Sequence, residues 1–304
     1  MTTKAPHQAL PDETYRPIRE ARVEHRRING LRHRIVRWGP ESNAPIVLLH
    51  GFMDCSMTFQ FLVDQLPADW SFAAPDWRGF GGTESTGVSY WFPDYLADLE
   101  ELLDTLSPAT EARVIGHSMG GNIASLYAGV RPARLRWLVN LEGFGLRRVS
   151  AEQAPTRYAE WLDQLRAPRT ERCYESPRQL AAILMRRNSR LAPPVALFVA
   201  EAWLRQTDAG YRLATDPMHR LINPVLYRRD EAEACWRLIE IPMLLVLGEQ
   251  SEYLPALGAD ATDEHLHTIV KRLSVVRLPS VGHMLHHEDP AAVAAAIQRY
   301  VTER

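Results

Sequence analysis

The chain has no run of roughly 20 apolar residues, the length a membrane-crossing helix needs. Its opening stretch, Met1 to Arg16, is polar and lacks the apolar core of a secretory signal. Both absences lead to the expectation of a cytoplasmic protein with a loose arm over residues 1–20. Cysteine is scarce: Cys55, Cys173 and Cys235 are widely separated and odd in number. That excludes a disulfide framework and fits a reducing compartment. Cys55 reads as a small buried apolar residue rather than a second nucleophile. Neither charge sign dominates, the formal net charge being −2, so neither nucleic acid nor an anionic membrane is an expected partner. Repeats and low-complexity tracts are missing too. His265 and His267 have a ligand-like spacing without a convincing third ligand, so no metal and no cofactor are expected.

What is present is an alternation of strand-like and helix-like segments along 304 residues. Arg22–Ile28 and Leu31–Trp38 flank Asn29-Gly30, a dipeptide suited to a two-residue hairpin turn with positive φ. Ala44–Leu49 is a continuous apolar run, as in a strand buried on both faces. Further strands are expected at Ser71–Ala74, Arg113–Ile115, Arg136–Leu141, Met243–Leu247 and Leu273–Leu278. Helices are expected at Ser56–Leu66, Trp91–Leu106, after Gly121, and at Pro290–Tyr300. This order implies an α/β fold, a mostly parallel sheet covered on both faces, with ligands bound beyond the carboxyl ends of its strands.

Residues 146–239 interrupt the alternation. They read as helices only, at Arg157–Leu165, Pro177–Arg187, Pro193–Gln206 and Asp230–Ile239. The domain expectation is a core made of residues 21–145 and 240–304, with 146–239 as a helical cap. Residues 145–237 carry 16 arginines and no lysine against 11 carboxylates. Such charge is usually a solvated face; a weaker reading is attraction of acidic substrates.

The chemistry centres on Arg113-Val114-Ile115-Gly116-His117-Ser118-Met119-Gly120-Gly121. One serine stands between glycines two places away on each side, at the junction of a strand and a helix. That is the G-x-S-x-G pattern of a nucleophile displayed on a sharp turn. By itself the pattern is weak, since Ser118 could equally be a helix N-cap. A serine nucleophile also needs a base, a group to orient that base, and donors for the developing oxyanion. His283, in the loop after the last strand, is the candidate base; His286 and His287 follow it, and one of them could line a pocket. His50 and His117 are expected to be packed and hydrogen-bonded at strand ends. Glu142, just past the strand that follows the serine helix, is the candidate orienting acid. Glu252 is the alternative, because the loop after Met243–Leu247 has Ser251 where an acid would be usual. The backbone N–H groups of Phe52 and Met119 are the candidate oxyanion donors. The glycine-rich loop Asp76–Ser85 lacks the lysine and hydroxyl of a phosphate-binding loop and reads as a structural turn with Arg78 paired locally.

His50-Gly51-Phe52, Asp76-x-Arg78-Gly79-x-Gly81, Gly116-His117-Ser118-Met119-Gly120-Gly121 and Gly282-His283 together resemble the serine hydrolases of the α/β-hydrolase superfamily. Arg187-Asn188, Asp216-Pro217 and Asn223–Arg228 are similar to its serine hydrolase-like subgroup. The resemblance runs from about residue 30 to 300. It implies the α/β-hydrolase fold and the order serine before histidine. Related dehalogenases and epoxide hydrolases use an aspartate nucleophile, so Ser118 argues against those activities. The expected activity is cleavage of a small-molecule carboxylic ester through an acyl-enzyme. Thioesterase, lactonase and carbon–carbon bond hydrolase are alternatives on the same residues, as is a non-catalytic binding protein. Tyr158, Trp161, Phe198 and Trp203 are expected to line an apolar pocket or to serve as core.

Overall fold

A computed structural model describes residues 14–167 and 171–303. β1 (Arg22–Ile28) and β2 (Leu31–Trp38) form the expected antiparallel hairpin, and Asn29 and Gly30 turn it with φ of 45° and 80°. β3 (Ile46–Leu49) is buried throughout. The single helix expected at Ser56–Leu66 is instead a 3₁₀ turn, Ser56–Phe59, continued by α1 (Gln60–Gln65). β4 (Phe72–Pro75) and α2 (Phe92–Leu106) follow, α2 burying Tyr95, Leu99, Leu102, Leu103 and Leu106 on one stripe. β5 (Ala112–His117) runs into α3 (Met119–Val130), and β6 (Leu135–Leu141) comes next.

The inserted segment contains α4 (Ala154–Arg166), α5 (Pro177–Arg187), α6 (Pro193–Trp203), β7 (Leu204–Thr207), β8 (Gly210–Leu213) and α7 (Arg229–Trp236). The expectation of helices only was wrong here, because the chain leaves α6 at Trp203 and turns back as a hairpin. The turn uses Gly210 at φ 114°, and Tyr211 then pairs in both directions with the Tyr174 backbone at 2.7 and 2.8 Å. Glycine alone adopts that φ freely, so the Asp208-Ala209-Gly210 turn overrides the helical reading. The chain resumes with β9 (Met243–Gly248), the short helices α8 (Leu254–Leu257) and α9 (Asp263–Ile269), β10 (Leu273–Leu278), α10 (Leu285–Glu288) and α11 (Pro290–Thr302).

Eight strands form one sheet in the order β1-β2-β4-β3-β5-β6-β9-β10, parallel from β4 onward. The pleat sends alternate residues to opposite faces. Val47, Leu49 and Val114 pack under α2, α3 and α7, whereas Ile46, Leu48 and Ile115 pack under α1 and α11. Burial on both faces is why these strands are uninterrupted apolar runs. The inserted segment has a core of its own around Leu180, Ala181, Leu197 and Ala200. Met1–Glu13 of the expected arm lie outside the described residues. Tyr15–Arg19 are not loose: Asp64 accepts from the Tyr15 hydroxyl at 2.9 Å and from the N–H groups of Ile18 and Arg19 at 3.0 and 2.9 Å.

Candidate active site

The β5–α3 turn is built by close approach. A Cβ at Gly116 would lie 2.7 Å from the Gly120 backbone, and one at Gly120 would run into the Leu49 carbonyl. Between these glycines Ser118 sits at φ 50°, ψ −114°, a region that L-residues avoid at a cost of about 1–3 kcal/mol. Two backbone bonds hold it there. Its N–H donates to Leu141 C=O at 2.8 Å and its C=O accepts from Asn122 N–H at 2.9 Å. The hydroxyl makes no capping bond to α3, which removes the helix-cap alternative. Ser118 Oγ lies 3.0 Å from His283 Nε2.

His283 is held from the other side by Glu142, whose Oε2 lies 2.9 Å from His283 Nδ1. Glu142 itself stands at φ 59°, immediately past β6. Its carboxylate is buried but fully bonded: Oε1 accepts from Gly248 N–H and Oε2 from the Ser251 hydroxyl, each at 2.6 Å. Such bonds meet the cost of burying the charge. Nδ1 therefore carries the imidazole proton and Nε2 is left to accept from Ser118. Of the two acids the sequence offers, the structure brings Glu142 to the imidazole; Glu252 is exposed on the neighbouring loop. Ser251, standing where an acid would be usual, serves the acid as a hydrogen-bond donor.

The loop after β3 lies against the serine, since a Cβ at Gly51 would sit 3.2 Å from Ser118 Cβ. Among the described residues no hydrogen bond takes up the N–H of Phe52 or Met119. The Phe52 ring is half exposed and packs edge-on against Phe80 and His219, with centroids at 5.9 and 6.2 Å. His50 is packed as expected: Nδ1 donates to Gly51 C=O at 2.7 Å and Nε2 accepts from Trp77 N–H at 2.9 Å. Burial lowers the pKa of His50 and takes that of His117 well below the ordinary value, so both rings are neutral. His117 Nε2 lies 2.9 Å from His283 C=O and donates to it.

Arg78 does not pair within its own loop as expected but with Asp98 at 2.6 Å and Asp94 at 3.0 Å, both on α2, so it ties the loop to that helix. His265 Nε2 lies 3.2 Å from Glu233 and 3.6 Å from Asp260, but Arg148 and Arg229 already neutralise those carboxylates. Phe198 packs on Tyr15 and Phe61, and Trp203 donates its indole N–H to Asp54 at 2.8 Å. Tyr158 is half exposed on α4. Phe198 and Trp203 are thus engaged with the N-terminal segment, α1 and the loop after β3. Two clefts of about 460 and 410 Å³ lie along the N-terminal segment, and neither is lined by Ser118, Glu142 or His283.

Two residues at the site escaped the sequence reading. Asn140 is fully buried, and its amide donates to Gly121 C=O, Ser125 Oγ and Gly143 C=O while accepting from Gly143 N–H. It ties the start of α3 to the loop that carries Glu142. A polar residue inside the apolar run Arg136–Leu141 was the available signal. His219, from the inserted segment, stacks between Phe80 and Tyr90 at centroid distances of 3.9 and 3.6 Å, and burial lowers its pKa to about 4. Nothing local in the sequence points to it.

A family model for the alpha/beta hydrolase fold matches residues 44–290. A zebrafish (Danio rerio) "Serine hydrolase-like protein" is 26% identical over 87% of this chain and 83% of its own length. A Bacillus subtilis "Putative 2-succinyl-6-hydroxy-2,4-cyclohexadiene-1-carboxylate synthase" is 26% identical over 90% and 96%. Among solved structures, a "Thioesterase Domain From Curacin Biosynthetic Pathway" superposes with a TM-score of 0.82 at 22% identity, covering 92% of this chain and 99% of that one. With the mostly parallel eight-stranded sheet and the serine turn at its centre, the match over residues 44–290 places the chain in the α/β-hydrolase family.

Proposed function

We propose that the chain is a serine hydrolase cleaving carboxylic esters with Ser118, His283 and Glu142 as a catalytic triad. One observation carries the reading: a continuous hydrogen-bonded line from Ser118 Oγ through His283 to Glu142, with contacts of 3.0 and 2.9 Å. Ser118 Oγ attacks the ester carbonyl as its proton passes to His283 Nε2, and Glu142 stabilises the imidazolium so formed. The N–H groups of Phe52 and Met119 receive the oxyanion, each donor being worth roughly 3–4 kcal/mol of barrier. Collapse of the tetrahedral intermediate returns the proton from His283 to the leaving alcohol and leaves an acyl-serine. Water, activated by the same imidazole, then releases the acid.

Two relatives carry names with other chemistries, a synthase and a thioesterase domain. Thioesters and lactones need the same three side chains. Carbon–carbon cleavage can use the same imidazolium as proton donor but needs a substrate that stabilises the leaving carbanion, so ester, thioester and lactone are the classes that ask least of the substrate. A non-catalytic role had its support in the missing acid at position 251, and Glu142 removes that support. The test is hydrolysis of short and medium p-nitrophenyl esters beside a thioester and lactone panel. Ser118→Ala should abolish turnover and labelling by a fluorophosphonate, and wild-type turnover in that variant would overturn the assignment.

A further inference from the structure

Beside the serine turn lies a cluster of buried polar atoms that the hydrolytic reading does not use. Asp54, His117, His286 and His287 are each at most 3% exposed. Among the described residues Asp54 Oδ2, His117 Nδ1, His286 Nδ1 and Nε2, and His287 Nε2 have no hydrogen-bond partner. Asp54 Oδ2 stands 3.7 Å from His286 Nε2 and 3.8 Å from His287 Nε2, just beyond hydrogen-bond reach. One ligand atom from each of Asp54, His117 and His286 lies within 4.8 Å of the other two. Leaving so many polar atoms unpaired in a protein interior costs about 1–3 kcal/mol apiece.

We propose that Asp54, His117 and His286, with His287 as a fourth ligand, bind one first-row divalent transition ion such as Zn²⁺. Ligands about 2.0–2.2 Å from a tetrahedral ion stand roughly 3.3–3.6 Å apart. The two measured separations from Asp54 need to shrink by only a few tenths of an ångström. Imidazole nitrogens with one carboxylate select zinc, cobalt or nickel over calcium and magnesium, which prefer oxygen.

The surroundings of the ligands support the same conclusion. His117 spends Nε2–H on the His283 carbonyl, which leaves the lone pair of Nδ1 free, the arrangement usual for a metal-bound histidine. Asp54 spends Oδ1 on three donors, Cys55 N–H at 2.8 Å, Thr58 Oγ1 at 2.7 Å and Trp203 Nε1 at 2.8 Å, which leaves Oδ2 free.

The bound ion would clamp three segments together: the loop after β3, the end of β5, and the helix two residues after His283. Its role is structural, and its binding is read without reference to hydrolysis. Tag-free protein, stripped with a chelator and dialysed, is titrated with Co²⁺ and then Zn²⁺. One equivalent of Co²⁺ should give the intense visible absorption of a tetrahedral site, and Zn²⁺ should displace it. Zn²⁺ should raise the melting temperature of the wild type. His286→Gln and Asp54→Asn should each weaken binding at least a hundredfold and lose the thermal shift. His265→Gln, in the arginine-neutralised cluster, should leave binding unchanged. The proposal is overturned if the wild type takes up no stoichiometric ion, or if His286→Gln, shown folded by circular dichroism, binds as the wild type does. Should Asp54→Asn fail to fold, His287→Gln provides the second reading, with weaker binding expected.

Discussion

At the scale of single residues the acid is the informative case. Glu142 and Glu252 were both open in the sequence because the acid's position depends on how a loop bends, and no spacing rule reports that bend. The structure shows the bend, with Glu142 at φ 59° and Ser251 filling the neighbouring place. Glu142→Gln keeps the shape but loses the charge that stabilises the imidazolium, so kcat should fall by about 10³–10⁴-fold. Glu252→Gln, on an exposed residue, should stay within about twofold of wild type. Steady-state kinetics on one ester decides between them, and the reverse ranking would move the role to Glu252. Ser251 Oγ stands 2.6 Å from the same carboxylate oxygen that faces His283. The double variant Glu142→Gln, Ser251→Asp should therefore recover part of the lost rate. Ser118 and His283 were readable early because a nucleophile turn and a histidine after the last strand are local patterns.

Among the elements, the strands were the most legible. A four-residue run buried on both faces cannot be hidden by context, and β1, β2 and β10 fall where their residue pattern puts them. The α6–β7 boundary was not legible, because Leu204–Thr207 becomes a strand only by pairing with Leu213–Gly210, and β8 in turn with the Tyr174 segment. Asn140 acts at this scale, since one side chain joins β6, α3 and the loop bearing Glu142. Asn140→Ala strands several buried polar groups and should cost about 2–4 kcal/mol, roughly 3–6 °C in melting temperature for a chain of this length. Because it shifts Glu142 and the serine turn relative to each other, kcat should drop more than KM rises. Calorimetry and kinetics on the same preparation check both halves.

Over the whole molecule, joints between the core and the inserted segment are what the sequence could not show, because they pair residues far apart in the chain. Among the described residues most arginines of the insertion lie exposed, the solvated face the sequence suggests, but Arg148, Arg190 and Arg229 are joints. Fully buried Arg229 bonds Glu233 and the carbonyls of Phe144, Leu146 and Asp260, and Arg148 pairs with Asp230, Glu233 and Asp260. Another joint is Glu288, which accepts from Asn188 at 2.7 Å, Arg190 at 2.6 Å and the Gly282 N–H at 2.7 Å. It thus ties the insertion to the residue before His283. Burial alone would raise the pKa of Glu288, but Arg190, Gly282 N–H and Asn188 outweigh it and lower the value. A lowered folded-state pKa stabilises the fold above the ordinary glutamate value of about 4.3, and that contribution is lost as pH falls further. The melting temperature should drop on acidification through that region. Glu288→Gln should lie lower at neutral pH and fall less steeply, which a series of thermal scans across pH would show; parallel curves would exclude the joint.

Ser118, Glu142 and Met53 share one backbone trait, φ of 50°, 59° and 60° without being glycine. Each would rest more comfortably as the residue with no side chain at all. Replacing Ser118 or Glu142 by glycine should therefore yield a protein that melts higher than its alanine counterpart yet turns nothing over. At both positions the chain thus carries a backbone cost of about 1–3 kcal/mol for the sake of a side chain that endurance alone would not choose.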